Sequence, residues 1–145
     1  MRSERAHILL VEDNAADIYL FRKALERAQL DCELTVVEDG GEALAFVQDE
    51  GNAARLPPDL AVIDLNIPRH DGIQVLRAVR KNKLLANIPV ILTSSSPSLP
   101  LPAIIEQLNI TRYIPKPLDL EAYLQIGTVV KELLCESRAR RSAET

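Results

Sequence analysis

The feature that most constrains the fold is a set of five short apolar runs, which recur at regular intervals along the 145 residues. Three of them, Ile8–Val11, Ala61–Ile63 and Val90–Leu92, are apolar at consecutive positions without alternation. That pattern is typical of strands that are covered by helices on both faces, as in a parallel sheet. The predicted strands are His7–Val11, Glu33–Val37, Leu60–Ile63, Val90–Thr93 and Tyr113–Pro115.

Amphipathic helical patterns fill the intervals between these strands. The first has Asn14 as its N-cap and Asp17 in its first turn, with apolar residues at helical spacing behind them. The fourth helix should be short, because Pro97, Pro100 and Pro102 crowd its beginning and proline is tolerated only in or before a first turn. The other predicted helices are Glu42–Gln48, Gly72–Lys81, Ala103–Leu108 and Leu120–Leu134.

Strands that alternate with helices in this way require right-handed crossovers. They predict an α/β fold with a doubly wound, five-stranded parallel sheet. The length suits one domain spanning residues 1–145, for which we expect an ordered core over about 7–136 and a polar tail over 137–145. The segment Gly51–Pro58 has the composition of a loop and not of a domain linker.

Composition and charge exclude several classes of function. The net charge of -4 and the pI near 5.2 argue against a nucleic-acid partner, which requires a basic surface. No apolar run approaches the roughly 18–20 residues of a membrane span. Cys32 and Cys135 are too far apart for a small disulfide scaffold or a paired metal knuckle. We therefore expect a cytoplasmic protein that binds neither nucleic acid nor membrane.

Polar side chains follow four of the predicted strands, at the point where each strand ends. They are Glu12 and Asp13 after the first strand, Asp64 after the third, Thr93 to Ser96 around the end of the fourth, and Lys116 after the fifth. In an open parallel sheet ligands bind at this carboxyl edge, so we expect the groups to converge there. Taken alone, Glu12 and Asp13 could be charges at a helix N-terminus, Asp64 could be a turn residue, and Lys116 could be a surface lysine. Their combination at one edge indicates a site.

The carboxylates of this edge repel one another, and a bound cation would relieve the repulsion. Oxygen ligands without His or Cys suit a hard ion, and a shallow site leaves room for the waters that Mg²⁺ retains. A carboxylate beside Mg²⁺ could attack the phosphorus of a donor and form an acyl phosphate, with Lys116 pairing with the transferred group. A hydroxyl near Ser94 could then bind a phosphoryl oxygen, which would provide a switch.

Three segments resemble the receiver domains of two-component response regulators, in family order and spacing: Ile8–Asn14, Asp64–Pro68 with Asp71–Gly72, and Tyr113–Pro117. The resemblance runs from Ile8 to about Leu134. It implies the flavodoxin-like receiver fold with strand order 2-1-3-4-5. It also implies a signalling protein that catalyses only its own phosphorylation and dephosphorylation, rather than an enzyme. Such a protein accepts a phosphoryl group from a sensor histidine kinase in a phosphorelay and acts through protein contacts, here without an output domain.

Carried over residue by residue, the resemblance assigns the chemistry of the site. It makes Asp64 the phosphoacceptor and Lys116 the partner of the phosphoryl group. The Mg²⁺ ligands that it implies are Glu12, Asp13, Asp64 and the backbone carbonyl of Asn66.

The resemblance also implies a switch hydroxyl and a switch aromatic. Thr93 matches the residue type most often found at the hydroxyl position, whereas Ser94 matches the family's spacing from the phosphoacceptor and the lysine, and we favour Ser94. Tyr113 falls where the family has an aromatic that moves inward on activation, although it could simply be a half-buried strand aromatic. A cis peptide bond before Pro117 is expected as well.

Within the family, the run Asp17–Leu25 is similar to small single-domain regulators that partner phytochrome-type histidine kinases. This similarity implies that the kinase is a bacteriophytochrome and that a downstream protein or phosphotransfer protein receives the signal. It also implies a homodimer, which composition and periodicity do not themselves support.

Three other functions fit the sequence less well. A Mg²⁺-dependent phosphatase of the haloacid-dehalogenase type also uses an aspartyl nucleophile, but it carries Asp-x-Asp after its first core strand, whereas here Asn66 follows the third strand. A receiver-like module that has lost phosphorylation would lack some of the acidic residues or the lysine of the site, whereas this sequence retains them. A flavodoxin-like nucleotide binder would need a Gly-rich phosphate loop where this chain has Glu12–Asn14.

Overall fold

A five-stranded parallel sheet forms the centre of the structure, a computed structural model that describes residues 5–48, 56–67, 72–95 and 102–144. The strands lie in the order β2-β1-β3-β4-β5, which confirms the predicted fold class and strand order. Each strand is one residue longer than its apolar run predicted. Their bounds are β1 Ala6–Val11, β2 Cys32–Val37, β3 Leu60–Asp64, β4 Val90–Ser94 and β5 Arg112–Pro115.

Helices cover both faces of the sheet, which explains why the three central strands, β1, β3 and β4, are buried along their whole length. The helices are α1 Ala15–Arg27, α2 Gly40–Gln48, α3 Gly72–Lys81, α4 Pro102–Gln107, α5 Leu120–Leu124 and α6 Ile126–Glu144. In β1, Ile8 and Leu10 contribute to the core beneath α1, α5 and α6. Leu9 and Val11 contribute to the core beneath α2 and α3. The sheet therefore separates two apolar cores, and polar groups meet solvent at its edges and ends.

Helix α4 is as short as the prolines predicted. It begins at Pro102, one residue before the predicted start, and proline suits the first position of a helix. The other two prolines before this helix, Pro97 and Pro100, lie outside the described residues. So do Pro68, Asp71, Ser96 and residues 51–55 of the predicted loop.

The peptide bond before Pro117 is trans, so the predicted cis bond is wrong. None of the helices in the described ranges has the length and apolar character that a membrane crossing requires.

The predicted helix Leu120–Leu134 is instead divided at Gln125 into α5 and α6. The backbone N–H of Gln125 donates to the carbonyl of Ala122 at 3.3 Å, which is the tighter spacing of a 3₁₀ turn. Helix α6 then continues to Glu144, so the expected polar tail is helical up to that residue. Basic residues such as Arg140 near a helix C-terminus interact favourably with the helix dipole and support this extension.

Helices α1 and α6 approach each other closely at Gly127. Gly127 is buried, and a Cβ atom added to it would collide with the backbone carbonyl of Ala24 in α1. The α1–α6 contact therefore depends on the missing side chain at this position.

We predict that Gly127→Ala lowers the free energy of unfolding by about 1–3 kcal/mol, because the added methyl group overpacks this contact. Urea denaturation would measure the change. Thr128→Ala is the matched control, since Thr128 is exposed on the same helix and should leave stability nearly unchanged. An increase in stability for Gly127→Ala, which helix propensity alone would give, would contradict the close backbone contact.

Candidate functional site: a carboxylate cluster around Lys116

The turn from β1 into α1 carries two of the predicted acidic residues. The N–H of Glu12 donates to the carbonyl of Val37 at 3.0 Å, which extends the pairing of β1 with β2 by one residue. Asn14 caps α1 as predicted, because its side-chain oxygen accepts from the N–H of Asp17 at 3.0 Å. This abrupt change from strand to helix leaves Glu12 buried and Asp13 exposed at the carboxyl edge of the sheet.

Asp64 is the last residue of β3, and only 2% of it is exposed. Its Oδ1 accepts a hydrogen bond from the N–H of Asn66 at 2.9 Å, in the manner of an Asx turn. Helix α3 starts directly against this strand end, since a Cβ on Gly72 would lie 2.7 Å from the carbonyl oxygen of Asp64. Strand, turn and helix start together fix the position of the carboxylate.

Lys116 joins these carboxylates into one cluster. Its N–H donates to the carbonyl of Ser94 at 2.8 Å, so the residue stays registered with β4 just past the end of β5. Its ammonium donates to three carboxylates, Glu12 Oε1 at 2.8 Å, Asp17 Oδ2 at 2.8 Å and Asp64 Oδ2 at 2.9 Å. An ammonium has three N–H donors, so these contacts use all of them.

Burial and the neighbouring charges set the protonation of the cluster. Burial by itself would lower the pKa of Lys116, but the hydrogen bonds to Asp17, Glu12 and Asp64 raise it above its usual value. Burial raises the pKa of Glu12 to about 7, opposed by the hydrogen bond from Lys116 and reinforced by the charge of Asp64. The ammonium stays charged, and the cluster has more negative groups than one cation can neutralise.

Three of the acids form an oxygen-only group that could hold a metal ion. Glu12, Asp13 and Asp64 each offer one oxygen, and these atoms lie within 4.8 Å of one another. They border an open pocket of about 510 Å³, which Asn66, Ser95 and Lys116 also line. This is an acidic site of the kind that takes a hard divalent cation, and its openness leaves space for coordinated water.

The two candidate hydroxyls differ in their connection to this pocket. Ser94 Oγ donates to Asn66 Oδ1 at 2.7 Å, so the Ser94 side chain contacts a residue that lines the pocket. Thr93 is buried in β4, and its carbonyl accepts from the N–H of Leu65 at 2.9 Å. The hydrogen bond to Asn66 favours Ser94 as the hydroxyl that belongs to the site.

Tyr113 lies half-buried in β5 against the core beneath α2 and α3.

Asp17 is a site residue that the sequence interpretation missed. It was predicted only as an acid in the first turn of α1, yet its carboxylate binds Lys116 directly. Its position in the sequence could have indicated this role. Asp17 lies three residues after the N-cap, in the first turn of α1, which begins at the edge of the sheet where the predicted site residues meet. The hydroxyl of Tyr123 also donates to the backbone carbonyl of Asp17 at 3.2 Å, which links α5 to the site.

Comparison with known proteins identifies the family that has this fold. The model of the response regulator receiver domain matches residues 8–126. The chain belongs to the response regulator receiver family. The resemblance predicted from the three motif segments is thereby confirmed.

Individual relatives of this receiver chain include response regulators of phytochromes. Response regulator Rcp1 of Synechocystis sp. (strain ATCC 27184 / PCC 6803 / Kazusa) is 36% identical over 115 residues, which cover 79% of this chain and 78% of Rcp1. The phosphorylated cyanobacterial phytochrome response regulator RcpA superimposes with a TM-score of 0.78 at 36% identity, covering 90% of this chain and 94% of RcpA. The Mn²⁺-bound form of Rcp1 has a TM-score of 0.75 at 32% identity, with coverages of 87% and 91%.

We predict that Mg²⁺ raises the free energy of unfolding of this receiver chain, because the three carboxylates converge only in the folded state. At ten times its dissociation constant the ion should add about 1.4 kcal/mol. Urea denaturation with EDTA or with Mg²⁺ measures the increment. In Asp13→Asn most of it should be lost, since one ligand oxygen loses its charge.

Asp31→Asn is the matched control for this experiment. Asp31 undergoes the same chemical change, but it is exposed and pairs with Arg5 away from the pocket. The control should keep the full increment. The cation site would be refuted if wild type gained no stability from Mg²⁺, or if Asp13→Asn gained as much as the control.

Proposed function

We propose that this chain is a phosphoryl-accepting response regulator, in which Asp64 receives a phosphoryl group from a sensor histidine kinase. The observation that carries the proposal is the contact between the Asp64 carboxylate and the Lys116 ammonium at 2.9 Å, within the acidic pocket. The regulator would comprise a single receiver domain over residues 1–145 that catalyses its own phosphorylation and dephosphorylation.

The chemistry follows from the groups around Asp64. One carboxylate oxygen attacks the phosphorus of a phosphohistidine, an O–P bond forms, and the P–N bond breaks with its electron pair remaining on the imidazole nitrogen. That nitrogen takes up a proton from water. Lys116, already within hydrogen-bond distance of Asp64, pairs with the negative charge on the transferred oxygens. Hydrolysis of the acyl phosphate restores the carboxylate and releases inorganic phosphate.

We propose Mg²⁺ as the cation of this site, with Glu12, Asp13, Asp64 and the backbone carbonyl of Asn66 as its protein ligands. When bound, it would neutralise charge on the phosphoryl group during transfer. The proposal is supported by the short distances among the three carboxylates and by the Mn²⁺-bound form of the relative Rcp1.

Phosphorylation would change partner binding through Ser94 and Tyr113. Ser94 Oγ now donates to Asn66, and we propose that it turns to a phosphoryl oxygen once Asp64 is modified. Tyr113, which lies in β5 three residues before Lys116, would then move inward. Thr93 is the alternative switch hydroxyl. A few kcal/mol from contacts made only with the phosphate are enough to shift such an equilibrium substantially.

The expected partners are a phytochrome-type histidine kinase, a downstream protein or phosphotransfer protein, and a second copy of the chain. The kinase assignment is supported by the similarity to RcpA, a cyanobacterial phytochrome response regulator. The proposed setting is the cytoplasm, where the phosphoryl donor and acceptor would meet.

We predict that acetyl phosphate with Mg²⁺ adds one phosphoryl group to the wild type, and that alkali removes it, as expected for an acyl phosphate. Intact-protein mass spectrometry measures the adduct. EDTA should abolish it, because the carboxylates then repel the anionic donor, and Asp64→Asn should remove it by deleting the nucleophile.

Asp31→Asn serves again as the control and should be phosphorylated like wild type. An equal adduct on Asp64→Asn would move the acceptor to another residue. A folded wild type without any adduct would instead favour an interaction module that works without phosphorylation.

A further inference from the structure

Asp17 shares the Lys116 ammonium with Asp64 and lines the same pocket, but it is not one of the three carboxylates that lie close enough together to hold a metal ion. Its Oδ2 lies 2.8 Å from Lys116 Nζ, and its side chain is 20% exposed. Among the described residues, the group that could share an ion consists of Glu12, Asp13 and Asp64. A cation bound there would be ligated by those three residues and would leave the charge of Asp17 without a direct partner other than Lys116.

The position of Asp17 is fixed by its own backbone. Its N–H donates to the side chain of Asn14 at 3.0 Å, and its carbonyl accepts from the hydroxyl of Tyr123 at 3.2 Å. Tyr123 is itself buried in the core beneath α1. The cap of α1 and the bond to α5 thus hold the backbone of Asp17 in place, which keeps its carboxylate within reach of the ammonium.

Phosphorylation of Asp64 would change the charge that Asp17 faces. A carboxylate with one negative charge becomes a phosphorylated group with roughly two, and a phosphoryl oxygen then needs an N–H of Lys116. All three N–H groups already have carboxylate acceptors, one of which is Asp17. Asp17 therefore draws the ammonium towards α1 while its own charge repels the phosphoryl group.

We infer that Asp17 opposes the phosphorylated state and limits how tightly the site holds a phosphoryl group. The inference rests on the proposed function, because it concerns the same acceptor site. Neutralising Asp17 should leave Lys116 closer to the phosphoryl position and remove one repulsive charge. Asparagine suits this purpose, since its amide oxygen can still accept a hydrogen bond from Lys116.

Beryllofluoride, an anionic mimic of the phosphoryl group that binds an aspartate carboxylate, provides an equilibrium test. Its dissociation constant would be measured by ¹⁹F NMR titration in the presence of Mg²⁺, for wild type, Asp17→Asn and the control Asp31→Asn. We expect Asp17→Asn to bind on the order of fivefold more tightly than wild type, as removal of one partly exposed like charge at short range would give. Asp31→Asn should bind like wild type.

Two further variants separate charge from structural damage. Asp17→Ala also removes the charge and should tighten binding, so the test remains decisive if the asparagine variant fails to fold. Asp17→Glu retains the charge and should bind no more tightly than wild type. Urea denaturation checks that each variant is folded, and a general loss of structure would weaken binding rather than tighten it.

Unchanged binding in the neutral variants would overturn the inference, and weaker binding would overturn it in favour of a role for Asp17 in positioning Lys116. In both cases the proposed function would stand, because wild type still binds the mimic. If wild type bound no beryllofluoride, the proposed function would fail and this inference with it.

Discussion

The hydrogen bonds of the Lys116 ammonium are the interaction on which the rest of the site depends. They join Glu12 after β1, Asp17 in α1 and Asp64 in β3 to a residue that follows β5. Buried carboxylates in such proximity would be costly without a cation among them. The lysine therefore allows acids from separate parts of the chain to share one pocket and gives them a common partner.

The sheet topology determines how this lysine reaches Asp64. Strand β4 lies between β3 and β5, so Lys116 must extend over the end of β4 to contact Asp64. The residue at that end is Ser94, whose small side chain leaves room and whose hydroxyl already contacts Asn66. The same serine is thus next to the path of the ammonium and to the loop after β3. This arrangement connects Asp64 to β4 and β5.

Most of the fold and much of the site could be predicted from the sequence, because both follow from hydrophobic patterns. Apolar runs without alternation indicated a sheet covered on both faces, and a parallel sheet brings the residues after each strand to one edge. Glu12, Asp64 and Lys116 could be chosen on that basis alone. What could not be predicted depends on tertiary contacts. An acid such as Asp17 in a first helical turn is favourable to the helix dipole anyway, so the sequence did not distinguish it from a site residue. The division of the last helix at Gln125 could not be predicted from the hydrophobic pattern either. The contact between α1 and α6 at Gly127 is likewise visible only in the structure.

The most direct test of the central claim is a crystal structure with Mg²⁺ and beryllofluoride. We expect the beryllium atom on a carboxylate oxygen of Asp64, Lys116 Nζ within hydrogen-bond distance of a fluorine, and Ser94 Oγ turned from Asn66 to another fluorine. A mimic bound to a different residue, or bound to Asp64 with Lys116 still engaged only by the carboxylates and Ser94 still on Asn66, would contradict it.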